Sequence, residues 1–290
     1  MKLQFTLLFL LLSVSTYAQI SMQDSLVNSI AYFMQNESAK YTIHYEFFDI
    51  EKQDTIRKIS RSSEIQFQVA DSTATHYIID WTYMPHEKAD NQKQPLHFQY
   101  KTDEYGIFQE WLNVKEVIDE LKKGNFPEHI YLEKRQIEVL LLAPTNENSY
   151  EMIVPLIQSV LLRDIIAFHN FYGASYPINQ PTWGTIPIEN PITKKMMDSH
   201  VYVTVDEIFE EDDVYIISSK STTDKQHLKE MFTKDFKLLK ETDNVFVNEN
   251  YITQVVHASG WPITIEIFSE IILGEHSSIR YTTMELLNEE

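Results

Sequence analysis

The 290-residue chain contains no cysteine. That removes thiol nucleophiles, thiolate zinc sites, iron–sulfur clusters and disulfides from consideration. It also removes the lipid-carrying cysteine of a bacterial lipoprotein. Glycine is scarce, at six residues, and no glycine-rich phosphate loop is present. Basic residues are few: 24 Lys and Arg stand against 43 Asp and Glu, a net charge of −19. Such a chain offers little to nucleic acid or to an anionic membrane surface, both of which select basic patches. The sequence also lacks GxSxG, SxxK, P-loop and HExxH motifs.

What is present begins with an N-terminal targeting pattern. Lys2 supplies a short positive region, Leu7 to Leu12 an apolar block, and Thr16-Tyr17-Ala18 a small-residue cleavage site. Residues 1–18 therefore read as a secretory signal peptide cut after Ala18. The apolar block is far shorter than the ~20 residues of a spanning helix. The expectation is an exported protein, periplasmic or secreted, without a lipid anchor. Hydrophobic residues make up 43% and aromatic residues 12%, so the remainder is globular rather than disordered. No linker or repeat divides residues 19–290, which are expected to form one domain.

From residue 40 the dominant period is two. Tyr41, Ile43, Tyr45 and Phe47 alternate with polar neighbours, as do Ile65, Phe67 and Val69, and Tyr77, Ile79, Trp81 and Tyr83. This alternation marks antiparallel strands with one face buried and one wet. A hairpin turn is expected at 102–106 and another at Ser259-Gly260-Trp261. The acidic run 206–213 reads as a solvated turn between two further strands. Residues 178–198 carry Pro181, Pro187 and Pro191 and read as a long connection.

The period changes at Asn113. Val114, Val117, Ile118 and Leu121 form a helical stripe, with Asn113 placed to cap it, Glu116 three residues on, and Gly124 to end it. A second helix is expected over 129–142. A third, over 150–171, is apolar nearly all round apart from Arg163 and Asp164. That pair argues against a membrane span and for a buried helix. His169 falls in its last turn, where a structural role is expected. A fourth helix is expected over 222–239, with Leu228, Met231, Phe232, Phe236 and Leu239 as its stripe.

The constellations that carry chemistry are thin. His44 with Glu46, and His76 with Asp80, share strand faces, with His86 and His97 nearby in sequence, yet none has compact metal-ligand spacing. No metal, cofactor or catalytic residue is assigned. A hydrolase would have to use dispersed groups such as His76, Asp80 and His169, which requires them to converge in space. The remaining feature is apolar surface. Ile157, Leu161, Ile165 and Phe168 on the third helix, with Trp81 on a strand, would line any slot between helix and sheet, and such slots bind apolar ligands.

The expected fold class is α+β: a curved antiparallel sheet, an open half-barrel, wrapping a central block of helices. Three stretches carry a likeness of layout: "STYAQ" at 15–19, "TDEYGIFQEW" followed by "NVKEV", and "HASGWPITIEI". With them the chain resembles secreted half-barrel proteins of the lipoprotein-carrier type and uncharacterised exported proteins of diderm bacteria. The resemblance implies an apolar cavity between sheet and helices and transfers no functional residue. The chain departs from the carriers in its size and its single helical block. The expected function is an exported soluble binding protein holding a lipid, another apolar ligand or a partner segment. The alternative is an accessory or structural protein of the cell envelope.

Overall fold

The computed structural model describes residues 20–21, 25–84, 94–127, 157–189, 196–223 and 246–287, with residues 130, 134, 137, 138, 141 and 154. The expected signal peptide, His86, most of 129–142 and 150–156, and the expected helix beyond Thr223 lie outside these residues.

The molecule is built mostly of strands, which corrects the α+β expectation. Strands account for 63% and helices for 15%, and the described residues form no central helical block. In chain order the strands are β1 (Ile20–Ser21), β2 (Leu26–Ser29), β3 (Ser38–Glu51), β4 (Asp54–Ser72), β5 (His76–Met84), β6 (Leu96–Asp103) and β7 (Phe108–Trp111), then β8 (Ala174–Pro177), β9 (Thr182–Glu189), β10 (Met196–Phe209), β11 (Val214–Thr223), β12 (Phe246–His257), β13 (Pro262–Leu273) and β14 (His276–Leu286). Two named α-helices stand among them, α1 (Val114–Lys122) and α2 (Arg163–Phe168). Eleven strands form one open antiparallel sheet in the order β7-β6-β5-β4-β3-β14-β13-β12-β11-β10-β9, and β1-β2-β8 form a small second sheet.

Two physical reasons explain the correction. The alternating segments run further than their apolar cores indicate. β4 spans 19 residues, and its first half, Asp54 to Arg61, is exposed except for Ile59. The second reason is β9, which takes up much of the proline-rich stretch 178–198. Proline is tolerated there because β9 is the edge of the sheet and pairs only with β10.

The turns follow the sequence closely. Gly106 closes the β6–β7 hairpin at φ +95, and an alanine Cβ there would sit 2.6 Å from Ala31 Cβ. The acidic turn between β10 and β11 ends on Asp213 in the left-handed region, at φ 54. Helix α1 starts where the stripe predicts, but Asn113 does not cap it. Its Oδ1 instead accepts from the Gln99 amide and the Trp111 indole, both at 2.8 Å, and its Nδ2 donates to the His97 carbonyl. The side chain ties α1 to β6 and β7.

One face of β3–β6 and of the adjoining parts of β13 and β14 packs against α1, residues 157–161 and α2, giving the main core. Its largest fully buried side chains include Trp81, Tyr41, Tyr100, Phe67 and Phe168. A second cluster of Val27, Phe171, Tyr176, Val205, Tyr215, Ile217 and Val256 joins the small sheet to the same face of β10–β12. The opposite face of the large sheet is the outer face.

Candidate functional site

The core face brings the five expected slot residues together. Ile157, Leu161, Ile165, Phe168 and Trp81 are each 0% exposed and belong to one cluster. The Phe168 ring lies 5.6 Å from Trp81, 5.1 Å from Phe67 and 5.7 Å from Tyr41, centroid to centroid. The space between helix and sheet at these residues is occupied by side chains.

Beside that cluster sits a buried polar group set. Asp164 is buried, and its Oδ2 accepts from the Tyr83 hydroxyl at 3.2 Å. Arg163 Nε lies 3.6 Å from Asp164 Oδ1, and the guanidinium stacks over the Tyr45 ring at 5.5 Å. Burial, and then the Asp164 charge, raises the Tyr83 hydroxyl well above its usual range. Tyr83 is therefore a fixed hydrogen-bond donor and not an acid. The set fastens the start of α2 to β3 and β5.

His169 is held on the same face. Its Nδ1 donates to the Gly106 carbonyl at 2.7 Å, which leaves Nε2 to accept from the Tyr100 hydroxyl at 2.8 Å. Burial lowers its pKa to about 3, against a smaller upward pull from the Gly106 carbonyl. The imidazole is neutral and has both nitrogens engaged, so it acts as a structural bridge.

The dispersed groups of the hydrolase reading do not meet. Asp80 points to the outer face, where it is 3.0 Å from His97 Nε2 and accepts from Gln99. His76 bonds Thr73 and Thr75 in the β4–β5 turn. His169 lies on the opposite side of the sheet from Asp80. His44 contacts Ser62 and Ser60 rather than Glu46. Among the described residues no group of three or more His, Asp or Glu could hold a metal ion. A polar groove of about 730 Å³ runs between α1 and β6, past His97, Gln99, Asn113, Glu116 and Glu120.

The outer face carries an arrangement that sequence reasoning missed. Strand register places Trp183 opposite Tyr202, Tyr202 opposite Lys220, Lys220 opposite Tyr251, Tyr251 opposite Phe268 and Phe268 opposite Tyr281. These six side chains form one row across six neighbouring strands, β9 to β14. Trp183 and Tyr202 meet edge to face at 4.4 Å, Lys220 Nζ lies 4.9 Å over the Tyr251 ring, and Tyr251 and Phe268 meet at 5.8 Å. Trp183 is 72% exposed. A pocket of about 400 Å³ opens at this end, lined by Trp183, His200, Tyr202, Lys220 and Thr222. The signal in the sequence was an aromatic out of phase with its strand: Phe268 follows Thr264 and Glu266 on the polar side of β13.

No protein-family model matches this chain, and no curated protein is similar to it in sequence. Among the described residues no helix is long and apolar enough to cross a membrane.

Proposed function

We propose that the protein is a non-catalytic binding protein of the cell envelope, and that it recognises its ligand on the outer face of β9–β14. The observation that carries this reading is Trp183, a large aromatic at 72% exposure that continues into a row of rings instead of standing alone. Export is supported by Lys2, the Leu7–Leu12 block and the small residues up to Ala18. An apolar ligand between helix and sheet gains no support from the five slot residues, which pack on one another and on Phe67 and Tyr41. The polar groups that a hydrolase would need lie on opposite faces of the sheet.

Trp183 makes the reading testable, because Trp81, Trp111 and Trp261 are each less than a tenth exposed. Acrylamide quenching of the exposed indole is measured with and without neutral oligosaccharides, oleate and short apolar peptides. At least one class is expected to lower quenching about twofold, and Trp183→Phe abolishes the change. If none of the classes shields Trp183, the outer face is not a ligand site.

A further inference from the structure

The chemistry of the row and its borders names a ligand class. One border follows His200, Thr222, Glu249 and Glu270 through successive strands, and the other follows Thr204, Ser218, Thr253, Glu266 and Thr283. A line of aromatic side chains interrupted by Lys220 is thus flanked by hydroxyls and carboxylates, with His200 at one end. Several of these groups are oriented by one another: Ser218 and Thr253 are 3.0 Å apart, and the Tyr251 hydroxyl donates to Glu249 at 2.7 Å. A protein partner selects a contiguous apolar patch with a polar rim. Alternating C–H faces and hydroxyls along a linear ligand are the property of a glycan chain.

Charge selects further. Lys220 is the row's cation, and its Nζ is neutralised by Glu249 at 3.0 Å. With the chain at −19 overall, sulfated or uronic polymers meet repulsion. From β9 to β14 the row crosses five strand spacings of ~4.8 Å, about the length of four or five pyranose units. We infer that the aromatic row of β9–β14 binds a neutral polysaccharide chain lying across the strands. This inference rests on the outer-face reading above and adds the ligand class.

The edge of the row is protected from a competing occupant. Pro187, on the outer face of β9, removes one donor from the free edge beside the row, which opposes strand pairing with a second copy.

The test is calorimetric titration of the full chain with β-1,4-glucan oligosaccharides of two to six units, with alginate as a polyanion control. Affinity is expected to rise with length up to four or five units and then level off. Trp183→Ala and Phe268→Ala, at well-separated strands of the row, are each expected to weaken binding about tenfold. Ile56→Ala, exposed on β4 away from the row, leaves it unchanged. The length dependence is independent of any variant and stands if Phe268→Ala fails to fold. Affinity that does not grow with length, equal binding of alginate, or an unchanged Trp183→Ala overturns the inference. A dimer in sedimentation that Trp183→Ala dissolves also overturns it, because a second copy then covers the row. Shielding of Trp183 by oleate but not by glucan sinks the ligand class while leaving the outer-face reading standing, whereas shielding by nothing removes both.

Discussion

His169 shows how burial decides the behaviour of one residue. Its position in the last turn of a helix was legible in the sequence, and a structural role followed from the missing nucleophile and carboxylate partners. The helix dipole would favour a charged imidazole there, yet the fold holds it neutral between Tyr100 and Gly106. The folded pKa of about 3 lies below the ordinary value of 6.5. Between those values the unfolded chain binds a proton that the native state refuses. This contribution to stability is therefore complete above about pH 6.5 and is lost as pH falls toward 3. The His169→Asn variant keeps a donor for Gly106 but cannot titrate. Urea unfolding of both proteins from pH 7 to pH 5 is expected to show the wild-type advantage shrinking by about 1.4 kcal/mol per pH unit below about pH 6. A pH-independent difference would mean that the imidazole titrates normally in the fold. Tyr83 and Asp164 could not be paired in this way from the sequence, because the contact joins residues 81 positions apart.

At the scale of elements, period and turn chemistry located most strands, and proline misplaced one. β5 was legible from Tyr77, Ile79, Trp81 and Tyr83 because its alternation is unbroken, with every second side chain buried. β9 was read as a connection, since its prolines exclude a regular helix, and an edge-strand position is settled only by tertiary pairing. Pro187 lies opposite Asp198. Its nitrogen, lacking a hydrogen, can face the free edge without breaking the ladder to β10. Trp183 and Thr185 share the phase of Pro187 along the strand. Pro187→Thr restores a backbone donor to the edge strand, beside the exposed Trp183 and Ile186. The variant is expected to remain folded by circular dichroism and to associate in a concentration-dependent way, measured by sedimentation velocity. A monodisperse Pro187→Thr at high concentration would show that the edge is guarded by something other than the proline. The aromatic row was harder to read than either strand. Its members are spread over six strands, and only the register places Trp183, Tyr202, Lys220, Tyr251, Phe268 and Tyr281 side by side.

On the scale of the whole molecule, the last strand holds the sheet together. β3–β7 form one set of neighbours in chain order and β9–β13 another, and β14 lies between β3 and β13. Its pairing runs from His276 opposite Glu51 to Leu286 opposite Tyr41, so it joins the two ends of the chain. Thr282 and Met284 of β14 are buried, and Met284 belongs to the main core. Neither set alone buries the face that the other completes, since Ile265 and Ile267 of β13 pack in the same cluster as Tyr41 and Phe67. Contacts of such sequence separation make folding slow, in the range of milliseconds to seconds or longer. A chain ending at Gly274 keeps both sets and lacks only the strand between them. It is expected to lose cooperative unfolding and to bind a hydrophobic dye, while Met284→Ala in the full chain unfolds cooperatively but is destabilised by about 2–5 kcal/mol. A truncated chain that melts in one sharp transition near the full-length temperature would mean that each set folds by itself. The outer row would then lie on the β9–β13 half alone, with only Tyr281 added by the last strand.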